Sequence, residues 1–105
     1  MGGSVGVLLK ERGQTVAVSE SAAGGLISAS LLSIPGASAY FVGGGVIYTR
    51  KARRAFLSLS RKEAAQRGAS EEYALLAAES VREELGTTWG LAESGATGPK
   101  SNAYG

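Results

Sequence analysis

Sixteen glycines cut this chain into short segments, and they fall at the ends of periodic stretches rather than in a repeat. Between them the apolar period keeps changing, and that alternation is what most limits the fold. Val5, Leu8, Leu9 and Arg12 follow helical spacing, and Gly13 stands where a helix would close in the left-handed region. Thr15-Val16-Ala17-Val18 is a compact β-branched run, read as a buried strand ending at Ser19-Glu20-Ser21. The stripe Leu26, Ile27, Ser30, Leu31 and Ile34 then predicts a helix from Ala22 or Ala23 that stops before Pro35-Gly36.

Phe41 to Thr49 reads as a second strand, with Gly43-Gly44-Gly45 marking a bulge or a close backbone approach. A short helix is expected through Phe56 and Leu57. Ser60 with Glu63 forms a capping box for another, ending at Gly68. Ser70 followed by Glu71 and Glu72 opens the longest helix, whose predicted buried stripe is Ala74, Ala77, Ala78, Val81 and Leu85 and whose stop is Gly86. Trp89 to Ala96 returns to strand character, and Gly95 to Pro99 is a turn. Alternating strands and helices predict an α/β class: one domain over residues 1–105, a three-layer sandwich with a small mixed sheet flanked by helices. Three strands make a thin sheet, so a fragment, or an open edge covered by a partner, is expected.

The chemistry is narrowed by what is missing. There is no cysteine, histidine or aspartate, and all nine acidic residues are glutamate. Thiol nucleophiles, disulfides, Cys/His zinc sites and serine triads with an imidazole base are thereby excluded within these residues. Scattered glutamates offer no metal-ligand spacing, so neither metal nor cofactor is expected. No apolar run approaches the ~20 residues of a spanning helix, and no signal peptide is read, so the cytoplasm is the expected compartment and no membrane partner is foreseen.

Charge is uneven although the net is only +2. From Arg50 to Arg67 seven basic residues face Glu63 alone, whereas residues 68–105 hold two basic residues against six glutamates. The first segment attracts anions, as a solvated helix face or as a phosphate-facing patch. The acidic segment opposes a broad basic surface, so nucleic acid is not the expected partner. Ser19-Glu20-Ser21-Ala22-Ala23-Gly24-Gly25, between strand and helix, is placed to offer backbone amides to an anion. Capping by Ser21 and close packing at the glycines explain the same residues without a ligand. Glu20 falls at the carboxyl end of a strand, where open α/β sheets bind ligands, and an ion pair with the basic segment accounts for it equally well. The turn Gly95-Ala96-Thr97-Gly98-Pro99-Lys100-Ser101 fails the GxxxxGK[ST] phosphate-loop pattern because Pro99 separates Gly98 from Lys100. It remains a Gly/Thr turn able to present N–H groups to an anion.

Five segments in one order resemble the C-terminal domain family of the competence/damage-inducible protein CinA. They are Ser19–Leu26, Ile34–Phe41, Gly45–Thr49, Gly68–Glu72 and Ser94–Pro99, within residues 13–99. The resemblance implies an amidohydrolase converting nicotinamide mononucleotide and water to nicotinate mononucleotide and ammonia, in a homo-oligomer. The family's A-E-S-C-T-G-G loop keeps Glu20, Ser21, Gly24 and Gly25 here but has Ala22-Ala23 for Cys-Thr. Its P-G-S-S-A-Y-F motif keeps a serine, the candidate nucleophile, at Ser38, and Tyr48 also persists. Counting from Tyr48 along Y-S-N-E-A-K puts Arg50 on the asparagine and Arg53 on the lysine. A guanidinium cannot serve as a base near neutrality.

The resemblance therefore implies Ser38 as nucleophile, Tyr48 as proton relay and Arg53 as a held charge. Glu20, Ser21, Gly24, Gly25, Arg50, Thr97 and Gly98 would bind a small phosphorylated nucleotide, with the phosphate against the Ser21–Gly25 helix start. Relative to the family, the final strands and terminal helix are expected to be lacking. Two other readings stay open: a nucleotide- or phosphate-binding domain without catalysis, suggested by Ala22, Ala23 and Arg53, and an interaction module using the open sheet edge.

Overall fold

Among the described residues, three strands with parallel neighbours, ordered β2-β1-β3, carry this fold. The computed structural model describes residues 2–67 and 69–95. Strand β1, Val16–Glu20, is buried at every position and forms the middle of the sheet. Strands β2, Phe41–Val46, and β3, Trp89–Ala92, flank it. Both pairings among the described residues are parallel, where the sequence had led to a mixed sheet. The reason is in the connections: each passes through a helix, and such crossovers return the chain in its original direction.

Helix α1, Gly2–Arg12, and helix α2, Leu26–Leu32, cover one face. Leu9, Val16, Val18, Leu31, Ala37 and Tyr40 form the core there. Helices α3, Arg50–Phe56, α4, Arg61–Ala64, and α5, Glu71–Leu85, lie on the other side. Their core includes Ala17, Ile47, Leu57, Tyr73, Ala77 and Val81. Val16 and Val18 point to one face and Ala17 to the other, the period-2 alternation of a doubly covered strand.

Local signals set most helix ends. Gly13 takes φ +64° after α1 and Gly86 φ +63° after α5, where a side chain would be strained. The Ser60–Glu63 capping box forms reciprocally, and Ser70 Oγ accepts from the Tyr73 amide. The buried stripe of α5 is Tyr73, Ala77 and Val81, whereas Leu85, expected inside, is 44% exposed. Tyr73 dominates because its ring packs on Arg53, a contact that apolar periodicity does not encode. Helix α2 starts at Leu26, later than expected, because Ser21–Gly25 is used as a turn. The third strand ends at Ala92 rather than Ala96. Helix α4 ends at Ala64, short of the Gly68 expected from sequence, and Ala96 with the turn to Pro99 lies outside the described residues.

Glycine makes the layers fit. A Cβ on Gly90 would lie 2.0 Å from the Ala78 carbonyl oxygen, so β3 and α5 touch backbone to backbone. On Gly6 it would lie 2.7 Å from the Tyr40 ring, whose hydroxyl donates to the Leu31 carbonyl. Tyr40 thereby ties the segment before β2 into the α1/α2 layer.

Candidate functional site

The carboxyl ends of the three parallel strands converge on one edge. There β1 leads into the Ser21–Gly25 loop, β2 into Ile47-Tyr48-Thr49-Arg50, and β3 into Glu93-Ser94-Gly95. The connections from β1 and from β2 run over opposite faces, so the edge between β1 and β3 is the switch point at which open α/β sheets bind ligands.

At this edge Glu20 is 1% exposed and both carboxylate oxygens are engaged. Oε1 accepts from the amides of Gly25, 3.1 Å, and Ile27, 2.9 Å, and Oε2 from Ser28, 2.7 Å. Burial alone would raise its pKa, but the bonds from Ser28, Ile27 and Gly25 together outweigh that and hold it below the usual carboxylate value. Glu93 meets the loop from β3, its Oε1 accepting from Ser21 N at 2.9 Å and Ala23 N at 2.8 Å. Ser21 Oγ donates to the Gly95 carbonyl, and Gly24 N to the Ser21 carbonyl. Gly24 and Gly25, at φ +62° and +102°, supply the left-handed backbone that folds the loop onto these carboxylates.

The amides expected to cradle a phosphate are therefore bonded to two of the protein's own carboxylates. That corrects the cup read from the sequence. Elementary accounting explains it: unpaired amides at the start of a helix favour a negative charge, and Glu20 and Glu93 supply it from within the chain. Among the described residues the bonds to Glu20 come from backbone amides of its own loop and helix rather than from the basic segment. Glu93 escaped sequence reasoning because no local pattern links it to a loop some 70 residues earlier.

Tyr48 and Arg50 sit beside this loop. Ile47 N donates to the Glu20 carbonyl, and Val46 packs near Gly25. Thr49 caps α3 through a bond from Ala52 N, leaving Arg50 exposed at the first helical position, with Nη2 3.4 Å from the Ala65 carbonyl oxygen. Arg53 is 2% exposed. Its Nη1 donates to the carbonyls of Ala64, 3.0 Å, and Gln66, 2.6 Å, and its guanidinium lies 3.8 Å over the centroid of the Tyr73 ring. Burial raises the Tyr73 pKa, partly countered by that cation. Arg53 is a pin joining α3, α4 and α5. Its Nε, Tyr73 OH and Gln66 Oε1 are buried without a protein partner among the described residues.

Ser38 is elsewhere. It is exposed in a 3-10 turn, Ala37–Ala39, at the amino end of β2, where the Tyr40 carbonyl accepts from Val16 N. The six residues of β2 separate it from Tyr48. At ~3.3 Å per residue that strand alone spans roughly 16 Å. One chain thus brings Glu20, Ser21, Gly24, Gly25, Tyr48 and Arg50 to one edge and holds Ser38 at the other, with Arg53 buried behind. Thr97 and Gly98 lie outside the described residues.

Two grooves run along the sides of the sheet. One of about 460 Å³ lies between α1 and β3, bordered by Val5, Leu8, Trp89 and Leu91. Another of about 470 Å³ follows β2, bordered by Gly43, Gly45, Phe56, Glu84 and Leu85. Among the described residues, no group of three or more acidic side chains could hold a metal, and no helix is long and apolar enough to cross a membrane.

Comparison with known proteins agrees with this architecture. A competence-damage inducible protein of Desulforamulus reducens is 48% identical over 99 residues, covering 93% of this chain and 24% of its own. A CinA-like protein of Synechocystis is 45% identical over 96 residues, 90% of this chain and 23% of its own. The chain thus spans about a quarter of the length of the curated relatives it matches. Among solved structures, the competence/damage inducible protein CihA of Agrobacterium tumefaciens superposes with TM-score 0.85 at 30% identity, over 95% of this chain and 61% of that one. The competence damage-inducible protein A of Klebsiella pneumoniae, at 24% identity, shares the fold with TM-score 0.87 over 96% and 63%. The family model for the CinA C-terminal domain matches residues 1–105, and a chain matched from end to end in sequence and superposed on these structures in fold belongs to the CinA C-terminal domain family.

Proposed function

We propose that the chain is the hydrolytic domain of an amidohydrolase that deamidates nicotinamide mononucleotide to nicotinate mononucleotide. One observation carries the reading: Tyr48 and Arg50 leave β2 beside the Ser21–Gly25 loop, at the carboxyl ends of the strands, the side on which an open parallel sheet receives a ligand. Retention of Ser38 and Tyr48 ten residues apart, as in the family motifs, supports it.

In this reading Ser38 Oγ of one copy of a homo-oligomer adds to the carboxamide carbon held at Tyr48 of another, since the two stand at opposite ends of β2 within one chain, and the C–N bond breaks as the leaving nitrogen takes the serine's proton through Tyr48 and departs as ammonia. Water then hydrolyses the serine ester to the carboxylate. Arg50 faces the substrate phosphate as a charge-assisted donor. Glu20 and Glu93 shape the loop rather than touch the ligand. Arg53 keeps α3 in place, so that Tyr48 and Arg50 stay at the edge. Ammonia release from nicotinamide mononucleotide tests the reading: release by the wild type and none by Ser38→Ala supports it, and silence of the wild type sinks it.

One observation favours a second reading. Arg53 stands where the family lysine would be, and it is buried and cannot give up a proton near neutrality. A domain that binds the mononucleotide without turning it over would give a calorimetric binding signal and no ammonia.

A further inference from the structure

Two carboxylates hold the Ser21–Gly25 loop, and they are engaged differently. Glu20 is 1% exposed, with both oxygens taken by the amides of Gly25, Ile27 and Ser28. Glu93 is half-buried, and Oε1 alone accepts the bonds from Ser21 N and Ala23 N. Its Oε2 has no hydrogen bond or ion pair among the described residues. A Cβ placed on Gly95 would lie 3.8 Å from that oxygen and 3.7 Å from Ala22 Cβ, so the carboxylate and the methyl border the same space between the loop and the end of β3. Bracing two amides needs one oxygen. The other leaves a negative charge at the switch point between β1 and β3, with a small apolar neighbour beside it.

That charge narrows what can lie there. A phosphate is repelled, and the loop amides that could offset the repulsion are already bonded. Among the described residues no group of three acidic side chains gathers to hold a metal ion. An organic cation remains, and it needs no N–H group, because the carboxylate attracts charge at a distance rather than through a directed bond. The edge is ordered accordingly. Exposed Arg50 lies on the β2 side and Glu93 on the β3 side, and the strands that lead to them are two spacings, ~9.6 Å, apart. A molecule with an anionic phosphate at one end and a cationic ring at the other matches that order.

We propose that Glu93 determines specificity at this edge by selecting a positively charged pyridinium ring over an uncharged one. The proposal rests on the reading of nicotinamide mononucleotide as substrate, whose oxidised ring carries that charge and whose dihydro form does not. Glu93 Oε2 acts by its charge across the crevice, while Oε1 keeps the loop in shape.

The test uses the full chain carrying Ser38→Ala, so that turnover does not disturb binding, and calorimetric Kd values for nicotinamide mononucleotide and its dihydro form. The cationic ring should be favoured about tenfold, the size of one opposite charge across a half-buried crevice. Adding Glu93→Gln, which still offers an oxygen to Ser21 N and Ala23 N, should weaken the cationic form by that same factor and leave the dihydro form unchanged. Equal affinities before this substitution, or equal weakening of both ligands after it, overturns the proposal, since a brace alone does not read ring charge. Should Glu93→Gln fail to fold, the preference is followed from about 0.05 to about 0.5 M sodium chloride: it shrinks if charge causes it, and a constant preference overturns the proposal. Ammonia release by the wild type is read separately. Release without a ring preference sinks the role of Glu93 and keeps the amidohydrolase reading; a ring preference lost in Glu93→Gln without release does the reverse. Absence of binding by either ligand sinks both.

Discussion

Glu20 shows how one side chain closes the accounts of a loop. Its carboxylate satisfies the amides of Gly25, Ile27 and Ser28, all near the start of α2, from a strand end with almost no solvent contact. Glu20→Ala should leave three donors without a partner and lower unfolding stability by on the order of 3 kcal/mol in urea titrations. Because the folded carboxyl is held below its usual value, its contribution is complete above the unfolded pKa and disappears as pH falls through the folded one. The stability gap between wild type and Glu20→Gln is therefore expected to be full at neutral pH and to narrow below about pH 4.5, the ordinary carboxylate value. A gap unchanged down to pH 2 would contradict the assignment. Arg53 gives a second test: lysine cannot reproduce a planar group bonded to two carbonyls and stacked on Tyr73. Arg53→Lys should cost about 1–2 kcal/mol in the same titration, with its loss spread over the α3–α5 junction.

At the scale of elements, the sequence spoke clearly wherever a local signal had a local cause. Ser60 with Glu63, Ser70 before α5, Gly13 and Gly86 all set helix ends from residues within a turn of them. Layer contacts are different, and two glycines in sequence reach separate them. Gly86→Ala meets no atom but strains a left-handed residue, so about 1 kcal/mol is expected. Gly90→Ala would drive a methyl into the Ala78 carbonyl and push α5 off β3; a loss above about 3 kcal/mol, or failure to fold, is expected by thermal denaturation. Both residues look alike in the sequence. The same blindness explains the α5 stripe: spacing alone proposed Leu85, whereas the Arg53 contact drew Tyr73 inward.

For the whole molecule, the parallel sheet makes β1 the least accessible segment, buried at all five positions between two neighbours. In native-state hydrogen exchange its amides should be the slowest in the chain, with outward-facing amides of β2 and β3 exchanging many-fold faster.

The sequence by itself determined the α/β alternation and the caps, because each rests on contacts between neighbours in the chain. It also limited the available chemistry by leaving out cysteine, histidine and aspartate. Only the tertiary structure decided that the sheet is parallel, that Glu93 and Glu20 fill the amides that a phosphate was expected to find, and that Ser38 and Tyr48 stand at opposite ends of β2. Strand direction and long-range hydrogen bonds depend on where distant segments meet, and residue spacing along one chain does not encode that meeting.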